Sequence, residues 1–153
     1  MTDDRAVLID TNVLLSATAP LRPLHSAAMA VLNDWPNQGS ILATTSQVLR
    51  EYLVVATRPV EVNGLGLAAA DALVNVVAFR GRMRLLADGE PVWDQLRALV
   101  ETYRCLGKQI HDANVVATAI TSGVGRLVTA NVSDFNRFAP EIEVIDLAAL
   151  PEQ

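Results

Sequence analysis

Four acidic side chains occupy positions where a carboxylate needs a reason to be. Asp10 directly follows the apolar run Ala6-Val7-Leu8-Ile9, which is too short for a helix and suits a buried strand. In an open parallel sheet, sites lie beyond the carboxyl ends of strands. An aspartate there can also cap a helix starting near Thr11 or Asn12. Glu51 falls on a helical stretch about 60° from Val48 and about 40° from Val55, at the border of an apolar stripe, with Arg50 on the opposite side. A carboxylate at that border must find a partner or a metal ion, or take up a proton; a salt bridge is the plain alternative. Asp112 shares a helical sector with Val116 and Ala119 and could serve instead as first-turn charge, worth about 1 kcal/mol. Asp134 lies in Asn131-Val132-Ser133-Asp134-Phe135, just past Leu127-Val128-Thr129, where an Asx turn or helix cap would also account for it.

The four weigh more together than apart. Two follow strand ends and two sit on inward-facing helical sectors, and a sheet with helices over it can bring these places together. Clustered carboxylates repel one another, so a divalent cation is their natural partner. Oxygen ligands without His or Cys favour Mg²⁺ or Mn²⁺ over zinc. The rest of the composition agrees. There is one cysteine, Cys105, read as a small buried hydrophobe, so neither a disulfide framework nor a multi-cysteine zinc site is available. The two histidines, His25 and His111, leave little scope for a histidine-rich site. The net charge of −5, from 12 basic and 17 acidic residues, argues against passive phosphate binding. Without the four acids the charge of −5 would be −1, a nearly neutral surface that accepts a phosphate-bearing ligand more easily. Eleven of the 12 basic residues are Arg, suited to directional contacts.

The elements that must position these acids follow from the apolar pattern. Short strands are expected at residues 6–9, 41–43, 83–86, 127–129 and 143–145, and an apolar-rich turn from Leu14 to Pro20. Helices are expected from Pro23 to about Trp35, from Thr45 or Ser46 to Arg58, and over residues 68–79, 90–103 and 111–121. Trp35 and Trp93 belong to amphipathic helices and are read as core or dimer packing. Strands alternating with helices imply an α/β layer structure with a mostly parallel sheet, and the 153 residues are one domain's worth. The acidic start does not read as a signal peptide, and no run reaches 18 apolar residues. A cytoplasmic protein without a membrane segment is the expectation.

The segment Val7-Leu8-Ile9-Asp10-Thr11-Asn12-Val13-Leu14 resembles the opening motif of the PIN-domain nucleases, most closely the VapC-type toxins of toxin–antitoxin pairs. Gly107-Lys108-Gln109-Ile110-His111-Asp112-Ala113 resembles their third-acid motif. Leu127-Val128-Thr129-Ala130-Asn131-Val132-Ser133-Asp134-Phe135 resembles their late motif, and Glu51 falls where the family carries a helical glutamate. The resemblance implies one PIN-like domain over residues 1–153, folded as a three-layer α/β/α sandwich with a central, mostly parallel sheet. It implies an Mg²⁺- or Mn²⁺-dependent endoribonuclease acting as the toxin of a type II pair. Asp10, Glu51 and Asp112 would be the core ligands, and Asp134 either a ligand or the holder of a water. It also implies a homodimer and a small cognate antitoxin.

Around this set, Thr11, Asn12, Thr129, Asn131 and Ser133 are expected to orient ligands or water, or to serve as ordinary helix-start and turn residues. Arg58, Arg104 and Lys108 are candidates for the RNA backbone against a solvated-surface reading. His111, about 100° from Asp112 on the helix, is read as a surface or packing residue. A haloacid dehalogenase-like phosphohydrolase would want an acid two residues after Asp10, where this chain has Asn12. A structure-specific DNA nuclease would want more acids and extra elements, and a non-catalytic module of the same fold would be marked by loss of a core acid.

Overall fold

The structure is a computed structural model and describes residues 2–151. Five short strands form one sheet: β1 (Ala6–Ile9), β2 (Ile41–Thr44), β3 (Arg84–Leu85), β4 (Arg126–Thr129) and β5 (Glu143–Asp146). Their order is β3-β2-β1-β4-β5 and every pairing is parallel. Seven α-helices surround it: α1 (Thr11–Thr18), α2 (His25–Asn37), α3 (Ser46–Thr57), α4 (Ala69–Arg82), α5 (Glu90–Tyr103), α6 (Gln109–Thr121) and the single turn α7 (Val132–Phe135). All four residues of β1 are wholly buried, because the strand is central and both its faces are covered, which also explains its unbroken apolar run.

The winding decides where a site can form. The chain steps from β1 through β2 to β3 in one direction, then returns through α5 and α6 to β4 on the other side of β1. Right-handed crossovers therefore put α1 to α4 on one face and α5 to α7 on the other. The packing agrees: α1 contacts α2 and α3, α3 contacts α4, α5 contacts α6, and α6 contacts α7. The result is the expected α/β/α sandwich. Winding reverses between β1 and β4, so the segments leaving these strands diverge and open a crevice beyond their carboxyl ends. One buried polar link ties the first helical layer together. The fully buried Tyr52 of α3 shares its hydroxyl with Thr18 of α1 (2.9 Å) and accepts from Asn75 Nδ2 of α4 (3.0 Å).

Several local expectations change. Residues 11–18 form a helix instead of a loose turn, because Asp10 caps it and Val13, Leu14 and Leu15 reach the core. α2 begins at His25, two residues after Pro23, since Leu24 adopts a left-handed backbone (φ 65°) that cannot continue a right-handed helix. In the third strand only Arg84 and Leu85 pair with β2, while Met83 and Leu86 contribute buried side chains. Trp93 is not a core residue: it is 64% exposed, because Val92, Leu96 and Leu99 form the buried stripe of α5 and Trp93 points to its side. Trp35 is half-buried against the core, and Cys105 is buried as expected. Among the described residues, no helix is long and apolar enough to cross a membrane.

Candidate active site

Asp10 stands at the carboxyl end of β1, where its backbone N–H still donates to the Val128 carbonyl of β4 (3.1 Å). The backbone then turns into α1, and the side chain is 7% exposed. The residue stands at the strand end and also caps the helix that follows. Its Oδ1 caps α1 by accepting from Thr11 N (2.8 Å), while its Oδ2 accepts from Thr129 Oγ1 (2.8 Å) and Asn12 Nδ2 (3.0 Å). Two donors use both lone pairs of Oδ2; Oδ1 has one left for another ligand. Thr129, at the end of β4, also accepts from Asn12 Nδ2 (3.1 Å) and from Asn131 N (3.0 Å), and Asn12 Oδ1 accepts from Ala130 N (2.8 Å). Asn12 and Thr129 thus clamp the two strand exits to each other.

Thr11 carries the network from Asp10 to the helical glutamate. Its Oγ1 donates to Glu51 Oε2 (3.1 Å). Glu51 is half-buried at the margin of α3, as its angle to the apolar stripe requires, and Arg50 is exposed. The other oxygen of Glu51, Oε1, accepts from Gln47 Nε2 (2.9 Å), one helical turn earlier. Gln47 is buried and also reaches α6: it donates to the His111 carbonyl (3.0 Å) and accepts from Asn114 Nδ2 (2.7 Å).

Asp112 lies in the first turn of α6, half-buried. Its carboxyl is pushed up to about 7, first by burial and then by the negative charges of Asp134, Asp10 and Glu51, with Arg137 opposing. Asp112 therefore feels the charge of each of the other three acids. Burial also raises the Asp10 carboxyl, and Glu51 adds to the rise, against the hydrogen bonds from Thr129, Thr11 and Asn12. Asp134 sits in α7 and is exposed. Among the described residues the salt bridges are Arg5–Asp3 and Arg97–Glu101, neither involving the four acids. Local ion pairs therefore do not account for them. No three His, Cys, Asp or Glu side chains among the described residues close into a ready-made metal cage. The donor set nevertheless suits a hard divalent cation: only oxygens, a free lone pair on Asp10, one donor on each Glu51 oxygen, and an Asp112 with no cationic partner in contact.

The model of the PIN domain matches residues 7–140, most of the chain and all four acids. The chain belongs to the PIN-domain family. No curated protein sequence matches it. Among solved structures, VapBC2 from Rickettsia felis, bound to a DNA fragment from its promoter, shares 17% identity and a TM-score of 0.65, over 92% of this chain and 98% of that one. A toxin–antitoxin complex from Klebsiella pneumoniae gives 20% and 0.64, over 92% and 97%. VapC20 from Mycobacterium tuberculosis, described as a toxin cleaving the sarcin–ricin loop, gives 16% and 0.57, over 83% and 92%. At these identities the likeness is one of fold.

Within this PIN domain the expected supporting residues divide. Thr11, Asn12 and Thr129 bond directly to the acids, and Asn131 joins through its backbone N–H. Ser133 is exposed and donates to none of them. Arg104 and Lys108 are exposed just before α6, Arg104 in a left-handed conformation (φ 51°). Arg58 closes α3 about two turns beyond Glu51. Three contributors were not legible beforehand. Gln47 and Asn114 look like ordinary helical polar residues, although Gln47 stands four positions before Glu51, a spacing that invites contact. Arg137 follows Asp134 by three residues and is the cation that opposes the rise of Asp112; its Nε is buried without a partner.

Proposed function

We propose that this PIN domain is an Mg²⁺- or Mn²⁺-dependent endoribonuclease that hydrolyses phosphodiester bonds in RNA, as the toxin of a type II toxin–antitoxin pair. The observation that carries the reading is the acidic crevice itself. Burial and three neighbouring carboxylates hold Asp112 at about 7, and among the described residues no basic side chain pairs with any of the four acids. A site of this kind is completed by a divalent cation. Asp10, Glu51 and Asp112 are the proposed ligands, and Asp134, exposed at the rim, is the proposed fourth ligand or the acceptor that holds a water. Bound there, the cation would offset the charge that develops on the phosphate oxygens. The protein's part is to fix the carboxylates: Thr129, Asn12 and the Thr11 N–H hold Asp10, and Thr11 and Gln47 hold Glu51. Arg58, Arg104 and Lys108 remain proposed contacts to the RNA backbone, with Arg137 added as the cation whose charge lowers the Asp112 carboxyl.

RNA as substrate and the toxin role are supported by the motif resemblance, by the toxin–antitoxin complexes that share this fold, and by the relative described as cleaving the sarcin–ricin loop. A homodimer and a small antitoxin belong to the same proposal. Leu73, Val74 and Val77, exposed on α4, offer apolar surface for such contacts. The test is cleavage of a cellular RNA pool by antitoxin-free protein, with and without EDTA, beside Asp10→Asn, Glu51→Gln and Asp112→Asn, each checked by circular dichroism. Cleavage should need the metal and all three carboxylates. Cleavage that persists in EDTA, or in a folded Asp10→Asn protein, refutes the assignment. Sedimentation of the chain alone as a monomer at micromolar concentrations refutes the dimer.

A further inference from the structure

Gln47 makes three directional hydrogen bonds from a buried position near the start of α3, and their polarity can be worked out from one fixed point. The His111 carbonyl oxygen can only accept, so the Gln47 atom 3.0 Å from it must be Nε2. Gln47 Oε1 is then the atom that faces Asn114, and Asn114 must present its Nδ2 (2.7 Å). The second proton of Gln47 Nε2 is directed at Glu51 Oε1 (2.9 Å). Every polar atom of the Gln47 amide is engaged, and none of the three bonds can be reversed without putting two acceptors face to face. The bonds also span elements. Gln47 and Glu51 are one turn apart on α3; His111 and Asn114 are one turn apart on α6, and His111 immediately precedes Asp112.

We propose that Gln47 is a positioning residue: its amide, fixed in sense by the His111 carbonyl and by Asn114, aims the Glu51 carboxylate and ties it to the turn that carries Asp112. The inference rests on the reading of Glu51 and Asp112 as metal ligands. Without Gln47, Glu51 keeps, among the described residues, only the Thr11 hydroxyl, which also lies 3.5 Å from the Val48 carbonyl, and α3 loses the hydrogen bonds that Gln47 makes to His111 and Asn114 of α6. Partners of this kind, one bond removed from a metal, typically alter affinity or activity 10–100-fold.

The experiment uses the full chain with Mn²⁺ alone as the probe. Gln47→Met nearly keeps the side chain's size and removes all three bonds. Gln47→Glu keeps the acceptor for Asn114 but sets an oxygen against Glu51 Oε1 and the His111 carbonyl. Asn114→Ala removes the lock and leaves both Gln47 donors. Calorimetry should show Mn²⁺ binding weakened about tenfold or more in Gln47→Met, further in Gln47→Glu, and less in Asn114→Ala. In RNA cleavage kcat should fall in the same order, with KM within about twofold, because Gln47 does not reach the substrate. A packing role alone predicts that Gln47→Met is harmless; Mn²⁺ affinity and kcat within twofold of the parent in that variant overturn the proposal. Nuclear magnetic resonance of the metal-free protein reads the relay separately. Both protons of the Gln47 side-chain amide should be protected from exchange with water, and their signals should move in Asn114→Ala. Protons that exchange with water as fast as those of an exposed glutamine overturn the relay. If the parent protein neither binds Mn²⁺ nor cleaves RNA, the functional reading falls, and the protection of those two protons still decides the hydrogen-bonded arrangement.

Discussion

Replacing Asp112 by Asn should stabilise the metal-free protein, and the effect should depend on pH in a defined direction. The carboxyl titrates near 3.8 in the unfolded chain and is held at about 7 in the folded one, chiefly by burial and then by Asp134, Asp10 and Glu51. Between those values the native state binds more protons than the unfolded state, so stability falls as pH rises through the interval and levels off above about 7. A gap of about three pKa units corresponds at face value to about 4 kcal/mol. Asp112 is only half-buried, and solvent screening reduces this to about 1–2 kcal/mol. For a chain of this length 1 kcal/mol shifts Tm by about 2–4 °C. In EDTA at pH 8, Asp112→Asn should therefore melt about 3–6 °C above the parent, with the difference shrinking as pH is lowered toward 4 and the parent carboxyl takes up its proton. Asp10, raised in the same direction, leaves a residual slope in the variant. Adding Mn²⁺ at pH 8 should raise the parent's Tm, because the ion binds the folded state, and raise the variant's less. The assay is thermal unfolding by circular dichroism from pH 5 to pH 8. A variant less stable than the parent at pH 8, or with the parent's full pH slope, would refute the claim that four like charges converge on this crevice.

Thr129→Val removes a hydroxyl that donates to Asp10 and accepts from Asn12 and from the Asn131 N–H; it should cost about 2–3 kcal/mol in urea unfolding and slow RNA cleavage about tenfold, and an unchanged midpoint would remove Thr129 from the network. Tyr52→Phe breaks the hydroxyl link between Thr18 and Asn75, so it should lower stability by about 1–2 kcal/mol while leaving cleavage per folded molecule unchanged; lost cleavage with normal stability would contradict this. His111→Ala should leave cleavage within about threefold, because the exposed imidazole is not the group Gln47 uses. Full loss there would place the imidazole in the reaction.

The sequence by itself determined what depends on local pattern. The run Ala6–Ile9 had to be a strand because four apolar residues in a row cannot span a helix face, and its burial on both sides made it central. Glu51 had to lie at the border of its helix because a 3.6-residue period fixes its angle to Val48 and Val55. Asp10, Glu51 and Asp112 stood out because each was set near apolar surface, where the nearby Arg50 and Lys108 are a poor explanation for all three. Other outcomes needed the third dimension. Whether residues 14–20 formed a turn or part of a helix depended on Asp10 capping the chain as it leaves β1. The exposure of Trp93 depended on which side of α5 met α6. The contacts that hold the crevice together join residues far apart in the chain: Asn12 to Thr129, Thr11 to Glu51, Gln47 to His111 and Asn114. A polar side chain carries no periodic signal of its partner, because a hydrogen bond is set by the position of one atom pair and not by a repeating face. That position exists only once the reversal of winding between β1 and β4 has brought the two strand exits, α3 and α6 to the same edge of the sheet.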